Sequence, residues 1–194
     1  CLRQGDGLYQ MQMTISKYLA DNGFYEVMNN SLTKAEYAQQ FDFLNEAETV
    51  KLLNPLSSEL NAMRQTLLFS GLENVMRNVN NKMADLRIFE FGKTYHLNPE
   101  TTVNDDVTVR YQEKDMMSIF VTGKLGEDNW EGKTPAADFF YLRNMVDNFM
   151  TKINFPMETL QLVTDGEPRM FAQHVAYKVG ESVPVRMGVL RADI

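Results

Sequence analysis

The stretch LLNPLSSELNAMRQTLLFSGL, residues 52–72, sets an Asn-Pro pair, two serines, a lone Glu and a lone Arg among apolar residues. No single helix or strand accommodates that mixture. Pro55 has no amide proton to give to a ladder and biases Asn54 away from helix, so the pair is expected to end a strand and turn the chain. Ser57 and Ser58 stand where their hydroxyls can satisfy amides of the turn. Glu59 and Arg64 are expected to pair beneath it, and TLLFSGL feeds a helix opened by Ser70. The stretch reads as scaffold: strand end, turn, ion pair, helix start.

Working outward, the chain alternates helical and extended patterns without a repeat, a low-complexity tract or a long linker. Upstream, Leu8, Met11, Ile15 and Leu19 fall on one face of a helix predicted from Asp6 to Asn22, with Gly23 placed to end it. GFYEVMNNSLT then reads as a strand. Thr33 and Glu36 have capping-box spacing for a short helix, KAEYAQQF, and ETVKLL is a strand leading into Asn54. Downstream, Ser70 and Glu73 repeat that spacing for a helix through Lys82, with Leu72, Val75, Met76 and Val79 on its inner face. DLRIFEFGKTYHL reads as a long strand, NPETTVNDD as a hairpin turn, and VTVRYQE and DMMSIFVTGKL as two further strands. Between Asp138 and Ile153, Phe139, Leu142, Val146, Phe149 and Ile153 recur at steps of three and four, which predicts an amphipathic helix. TLQLVTD, AQHVAYKV and VPVRMGVL follow as short strands. Helices separated by hairpin-connected strands point to an α+β fold around an antiparallel sheet.

Composition narrows the function classes. The 194 residues suffice for one sizeable domain, and 44% hydrophobic with 23% charged residues is an ordinary globular mixture. The 19 Lys and Arg are scattered among 26 Asp and Glu, giving a net charge of −7, and no two basic residues are adjacent. A direct nucleic-acid surface needs clustered cations, so none is expected, and the acidity also speaks against a membrane surface. Cys1 is the single cysteine, so no intrachain disulfide can form, which fits a reducing cytoplasm. No apolar run reaches the ~20 residues needed to span a bilayer. A start without Met and an end at VLRADI, within a strand pattern, lead us to expect a piece of a longer chain.

Catalytic motifs are wanting. No Gly-rich phosphate loop, Gly-x-Ser-x-Gly or His-Glu-x-x-His occurs. His96 and His174 lie far apart, without a second ligand at metal spacing, and Asp105 and Asp106 sit in a polar turn where solvation is the expected role. The 13 methionines are expected mostly at core positions.

LLNPLSSELNAMRQTLLFSGLENVMRNVNNKMADLRIFEFGKTYH (52–96), preceded by GFYEVMNNSLT (23–33) and followed by WEGKTPAADFFYLRNMVDNF (130–149) and RMGVLRADI (186–194), resembles the catalytic-like module of the β chain of bacterial phenylalanyl-tRNA synthetase. The resemblance covers nearly the whole chain and implies one catalytic-like domain over residues 1–194, built as the helix-flanked antiparallel sheet of class II aminoacyl-tRNA synthetases. It implies a structural motif at Asn54, Pro55, Ser57, Glu59, Arg64, Gly71, Glu90 and Gly92. It also implies an absence. Catalytic class II members end a strand with an aromatic residue and an Arg that grips ATP, whereas Tyr95 and His96 stand there, followed by LNP. An imidazole offers neither the permanent charge nor the planar fork of a guanidinium. No Gly-x-Gly with a following Arg, the third class II signature, appears before Ile194.

The resemblance therefore implies a non-catalytic module, with no catalytic, cofactor or metal residues of its own, inside an enzyme that as a whole uses ATP and Mg. Its partner is the α chain in an (αβ)₂ assembly. Transfer RNA is reached indirectly through that assembly, and no membrane is involved. Leu8, Met11, Ile15, Leu19 and Phe24 form the expected subunit interface, and a chain without its partner is expected to self-associate through that stripe. Two other readings stand beside this one: an amino-acid-activating domain with unfamiliar ATP ligands, and an effector-binding relative that kept the fold.

Overall fold

The computed structural model describes residues 6–55, 57–102, 104–128, 130, 132–164 and 169–194. Cys1, Leu56, Val103 and Asp165, which enter the readings above, lie outside the described residues. The chain is organised in two compact units, Cys1–Tyr25 with Val121–Ile194, and Glu26–Phe120. Among the described residues no helix is long and apolar enough to cross a membrane.

In the first unit, α1 (Asp6–Asp21) ends at Gly23, whose φ of +80° closes the turn without a Cβ penalty. Farther along the chain lies α5 (Phe139–Lys152), opened by the Asp138 carboxylate, which accepts from the Tyr141 amide at 2.7 Å. The two helices pack together: the Tyr18 hydroxyl lies 3.9 Å from Met145 Sδ, and Lys152 Nζ sits 5.3 Å from the Tyr18 ring centre. Met145, Val146, Phe149 and Met150 are buried on α5, as the apolar period requires. Three antiparallel strands follow, β6 (Gln161–Val163), β7 (Phe171–Val179) and β8 (Ser182–Leu190), in that order. Buried Tyr177 of β7 ties the sheet to α5: its hydroxyl donates to Asp147, and Arg143 Nε donates to it at 3.3 Å. Burial pushes the Tyr177 phenol up.

The α1 stripe departs from expectation. Ile15, Leu19 and Phe24 are 4%, 0% and 3% exposed and belong to this unit's own core, so they cannot offer a partner surface. Phe24 stacks on Tyr141 at 6.4 Å. Only Leu8 and Met11, at 42% and 37% exposure, leave the stripe open, toward the N-terminal end of the helix.

The second unit is built from β2 (Leu32–Thr33), α2 (Tyr37–Gln40), a 3-10 turn at Glu46–Glu48, β3 (Ala62–Met63), α3 (Leu68–Asn80), β4 (Leu86–Leu97), α4 (Val107–Arg110) and β5 (Tyr111–Thr122). β2 pairs antiparallel with β3, and β4 is the middle strand of a sheet ordered β1-β4-β5, where β1 is Tyr25–Glu26. Its core gathers Leu67, Leu68, Phe69, Leu86, Ile88 and Phe89. Phe69 meets Tyr37 at 4.0 Å between ring centres and Phe41 at 5.0 Å.

Several local expectations are corrected here. GFYEVMNNSLT is two short strands, because residues 27–31 between them are drawn into hydrogen bonds with Phe89, Glu90 and Arg64. The Thr33–Glu36 capping box does not form: Thr33 lies in β2, and Glu36 itself precedes α2 without a side-chain cap. ETVKLL contributes a 3-10 turn and a single bridge, Lys51 to Ala62. Ser70 does not cap α3, which starts two residues earlier, where the Thr66 hydroxyl accepts from the Leu68 amide at 3.2 Å. VTVR, the start of the expected strand VTVRYQE, forms a turn of helix capped by Asp106, and the rest of that strand joins the next expected one in a single strand, β5. Met76 and Val79 of α3 are 60% and 44% exposed instead of facing inward. Of the methionines only Met145, Met150 and Met187 are buried, and six stand exposed.

Candidate functional site

β4 organises the site. Its even-numbered side chains face inward, so Leu86, Ile88, Glu90 and Thr94 are all buried, and Glu90, 1% exposed, is a carboxylate in a core position. Such a group needs a cation and a full set of donors. Arg64 supplies the cation: Nη1 donates to Glu90 Oε1 at 2.7 Å. Its Nε donates to the Lys93 carbonyl at 3.0 Å and Nη1 also reaches the Asn30 carbonyl at 3.4 Å. Asn29 completes the carboxylate, giving its side-chain amide to Oε2 at 2.8 Å and its backbone amide to Oε1 at 3.3 Å. Asn74 of α3 donates to the Asn29 side-chain oxygen at 2.6 Å. One buried pair thus ties α3, residues 29–30, the chain after β3, and β4 to each other.

The local backbone explains why Arg64 points inward. Its amide donates to the Ser31 carbonyl at 3.0 Å and its carbonyl accepts from the Tyr95 amide at 2.9 Å, which fixes the residue between two neighbours. Gly92 leaves room for the guanidinium, since a Cβ there would lie 2.2 Å from Arg64 Nη2. Gly71 does the same for a ring: a Cβ on it would lie 2.1 Å from Phe120.

The expected Glu59–Arg64 pair is not made. Glu59 bonds Lys34 at 3.1 Å on the surface, because residues 50–52 and 61–63 run antiparallel and carry the intervening turn outward. Asn54, Pro55, Ser57, Ser58 and Glu59 are all exposed at that turn, and it is the Ser57 carbonyl, not a hydroxyl, that accepts from the Leu60 amide at 3.3 Å. Of the sequence-derived motif, then, Arg64, Glu90, Gly92 and Gly71 converge on the core, whereas Asn54, Pro55, Ser57 and Glu59 shape an exterior loop.

At the far end of β4, Tyr95 is half-buried and His96 Nδ1 lies 3.1 Å from Glu48 Oε2, with Nε2 3.4 Å from the Thr94 hydroxyl. Glu48 is held in turn by the Asn45 side-chain amide at 2.9 Å. His174, on β7, stacks on Phe171 instead. Among the described residues no group of three His, Cys, Asp or Glu is placed to hold a metal ion. A cavity of about 20 Å³ lies among Thr33, Tyr37, Thr49, Arg64, Gln65 and Phe69, enough for a single water-sized guest. Tyr37, beside it, has its phenol pushed up to about 12 by burial first and then by its hydrogen bond to Glu73.

The Asn29–Glu90–Arg64 set and the His96–Glu48 contact escape a reading by sequence distance. A signal for the first did exist: strand alternation puts Glu90 on the face of Leu86 and Ile88, and a carboxylate there requires a partner from elsewhere in the chain.

Residues 3–194 match the family model described as phenylalanyl tRNA synthetase beta chain CLM domain. The chain is 37% identical over 151 residues to the phenylalanine-tRNA ligase beta subunit of Bacteroides fragilis, covering 78% of this chain and 18% of that subunit. It is 33% identical over 159 residues to that of Porphyromonas gingivalis, with 82% and 19% covered. The chain therefore spans about a fifth of the length of the curated relatives it matches. A solved pyrrolysyl-tRNA synthetase from Desulfitobacterium hafniense superposes with a TM-score of 0.59 at 16% identity, over 91% of this chain and 56% of that one, which shows the fold of a class II synthetase.

Proposed function

The chain belongs to the phenylalanyl-tRNA synthetase beta chain CLM-domain family, and from that premise we propose that it is a non-catalytic structural module that packs against the catalytic α chain. In this role it supports assembly of an (αβ)₂ enzyme that ligates phenylalanine to its tRNA using ATP. ATP and Mg²⁺ then serve the whole enzyme and bind outside this domain. Transfer RNA is engaged through the assembly, and the working compartment is the cytoplasm.

The observation that carries the reading is the state of His96. Both ring nitrogens are engaged, by Glu48 and Thr94, at the strand end where the family resemblance expects an ATP-gripping Arg. A carboxylate 3.1 Å from the ring adds negative charge where a phosphate would have to approach. Arg64 and Glu90, the charged groups on the inner face, are spent on each other. The half of the α1 stripe left open, Leu8 and Met11, supports a partner surface.

The test is co-purification with a phenylalanyl-tRNA synthetase α chain, followed by phenylalanine-dependent pyrophosphate exchange. The complex is expected to exchange and the domain alone to be silent, without micromolar ATP binding by calorimetry. Leu8→Asp with Met11→Asp should abolish capture of the α chain while the far-ultraviolet circular dichroism is retained, because a charge would be desolvated at an apolar contact. Ile15→Asp does not serve, since it disrupts a core position. ATP binding by the isolated domain would favour the amino-acid-activating reading instead.

A further inference from the structure

The glycine that closes α1 also opens the chain to a covalent change. α1 ends in a Schellman arrangement: the Gly23 amide donates to the Ala20 carbonyl and the Phe24 amide to that of Leu19, both at 3.0 Å, with Gly23 at φ +80°. Leu19 and Phe24, the residues whose apolar side chains accompany such a closure, are 0% and 3% exposed. Asn22 precedes that glycine, and it is the only asparagine in the chain followed by one. Glycine has no Cβ to obstruct its own amide nitrogen and the widest backbone freedom, so Asn-Gly is the pair best able to fold back on itself. In that reaction the Gly23 nitrogen bonds to the Asn22 side-chain carbonyl carbon, the bond from that carbon to Nδ2 breaks, and ammonia leaves with the amide proton. Water then opens the cyclic imide on either side, to aspartate or to isoaspartate.

In the folded chain both reacting groups are occupied elsewhere. The Asn22 side-chain amide donates to the Tyr18 carbonyl at 2.8 Å, which draws it back along the helix, and the Gly23 amide is turned toward Ala20. We propose that Asn22 is a site of spontaneous deamidation that the α1 closure keeps silent, so that its conversion marks subunits in which the end of α1 has opened. Access does not limit the reaction: Gly23 is exposed and Asn22 half-buried, so water and base reach the bond once the two hydrogen bonds part. The limit is the docking of Phe24, which stacks on Tyr141 at 6.4 Å and holds the turn shut. The product cannot restore that closure. Isoaspartate adds a methylene to the main chain inside the turn. Either product loses the amide that bonded Tyr18 and sets a carboxylate next to Asp21 at the helix C-terminus, where the dipole disfavours negative charge.

The experiment incubates the full-length subunit at mildly alkaline pH, folded and in denaturing urea, beside a synthetic peptide of residues 18–27. Asn22 is followed by peptide mass spectrometry that separates aspartate from isoaspartate. The peptide and the unfolded chain are expected to convert Asn22 ahead of every other asparagine, and the folded subunit to do so about tenfold more slowly or slower still, as an opening equilibrium at a helix end requires. Phe24→Leu, which trims the anchor, should speed the folded reaction several-fold with the far-ultraviolet circular dichroism retained. Where that variant unfolds, urea below the unfolding midpoint loosens the same turn in the parent and should speed the reaction likewise. Asn22→Asp installs one product directly and should raise hydrogen exchange at the Gly23 and Phe24 amides. A folded rate equal to that of the peptide, an unfolded chain in which Asn22 is not the first to convert, a folded rate indifferent to both Phe24→Leu and urea, or Gly23 and Phe24 amides as protected in Asn22→Asp as in the parent would each overturn the proposal.

Discussion

Two ion pairs in the Glu26–Phe120 unit share the charges of one short stretch of sequence and differ in almost everything else. Arg64 and Glu90 meet at 2.7 Å with side chains 5% and 2% exposed, whereas Lys34 and Glu59 meet at 3.1 Å with side chains 34% and 70% exposed. Glu59 is five residues from Arg64, and Glu90 is 26 residues away. The backbone chooses the partner. Arg64 is clamped between the Ser31 carbonyl and the Tyr95 amide with its side chain in the core, while residues 53–55 and 57–60 are exposed to water. Sequence proximity therefore misassigns the pair, and burial assigns it.

The difference should appear first as stability. Removing one partner of a buried pair leaves a desolvated charge, so Arg64→Ala is expected to cost about 3–5 kcal/mol in denaturant melts. Glu90→Met combined with Arg64→Met should cost less than either single change, because no charge is then left unpaired. An Arg64→Ala midpoint close to that of Glu59→Ala would erase the contrast between the two pairs.

Gly92 sharpens the same contrast at smaller scale. An alanine methyl 2.2 Å from Arg64 Nη2 must displace the guanidinium from its acceptors, and overpacking of this kind costs roughly 1–3 kcal/mol. In an Arg64→Ala background most of that cost should vanish, leaving the softer contact to Leu67 at 3.0 Å. Equal costs in both backgrounds would mean that Gly92 is there for its backbone and not for the arginine.

How much of this was legible follows from where the signals lie. α1, α5 and β4 are found within a residue or two, because an apolar period and a nearby stop or cap, Gly23 or Asp138, are local. β6, β7 and β8 are likewise local patterns, and their pairing follows from adjacency in the chain. The failures are tertiary. Residues 29–30 abandon an extended ladder to complete the Arg64–Glu90 pair, and Asp106 caps a helical turn where VTVR is expected to begin a strand. Periodicity finds the apolar faces of α1 and α3 but is silent on how far along each helix a cover extends. For that reason Ile15 and Leu19 were expected at an interface and are core, and Met76 and Val79 were expected in the core and are exposed. Within the site, Arg64, Glu90, Gly71 and Gly92 came from a resemblance, and only their burial explains why those residue types stand together.

Alkaline titration reads the exposed pair together with the nearby Tyr37 phenol. The Lys34 ammonium has its pKa raised by its hydrogen bond to Glu59, and the Tyr37 phenol is raised to about 12, chiefly by burial. In both cases the folded state holds the proton more tightly than the unfolded chain. The stability these groups give is complete below the unfolded pKa, about 10 for either, and is lost as pH rises through the folded value. Melts between pH 9 and 11.5 should therefore fall with pH, and Tyr37→Phe should flatten the fall more than Glu59→Gln does. A slope untouched by Tyr37→Phe would place the alkaline loss elsewhere, with Lys93 and Tyr177, both raised as well, as the next groups to remove.

The smallest effect belongs to the exposed pair itself. Lys34 and Glu59 gain little Coulomb energy in high dielectric, give up side-chain freedom to stay together, and are screened by salt over about 8 Å at physiological ionic strength. Glu59→Ala removes the bond without stranding a buried charge, since the Lys34 ammonium can turn to water. The turn it decorates is fixed independently by backbone bonds, Leu52 amide to Asn61 carbonyl at 2.9 Å and Met63 amide to Val50 carbonyl at 2.8 Å. The denaturant midpoint of Glu59→Ala is therefore expected to match the parent within the scatter of replicate melts, at low and at high salt alike. A reproducible loss at low salt that disappears at high salt would show that the surface pair holds the 53–60 turn in place, and the division between a structural pair inside and an incidental pair outside would have to be redrawn.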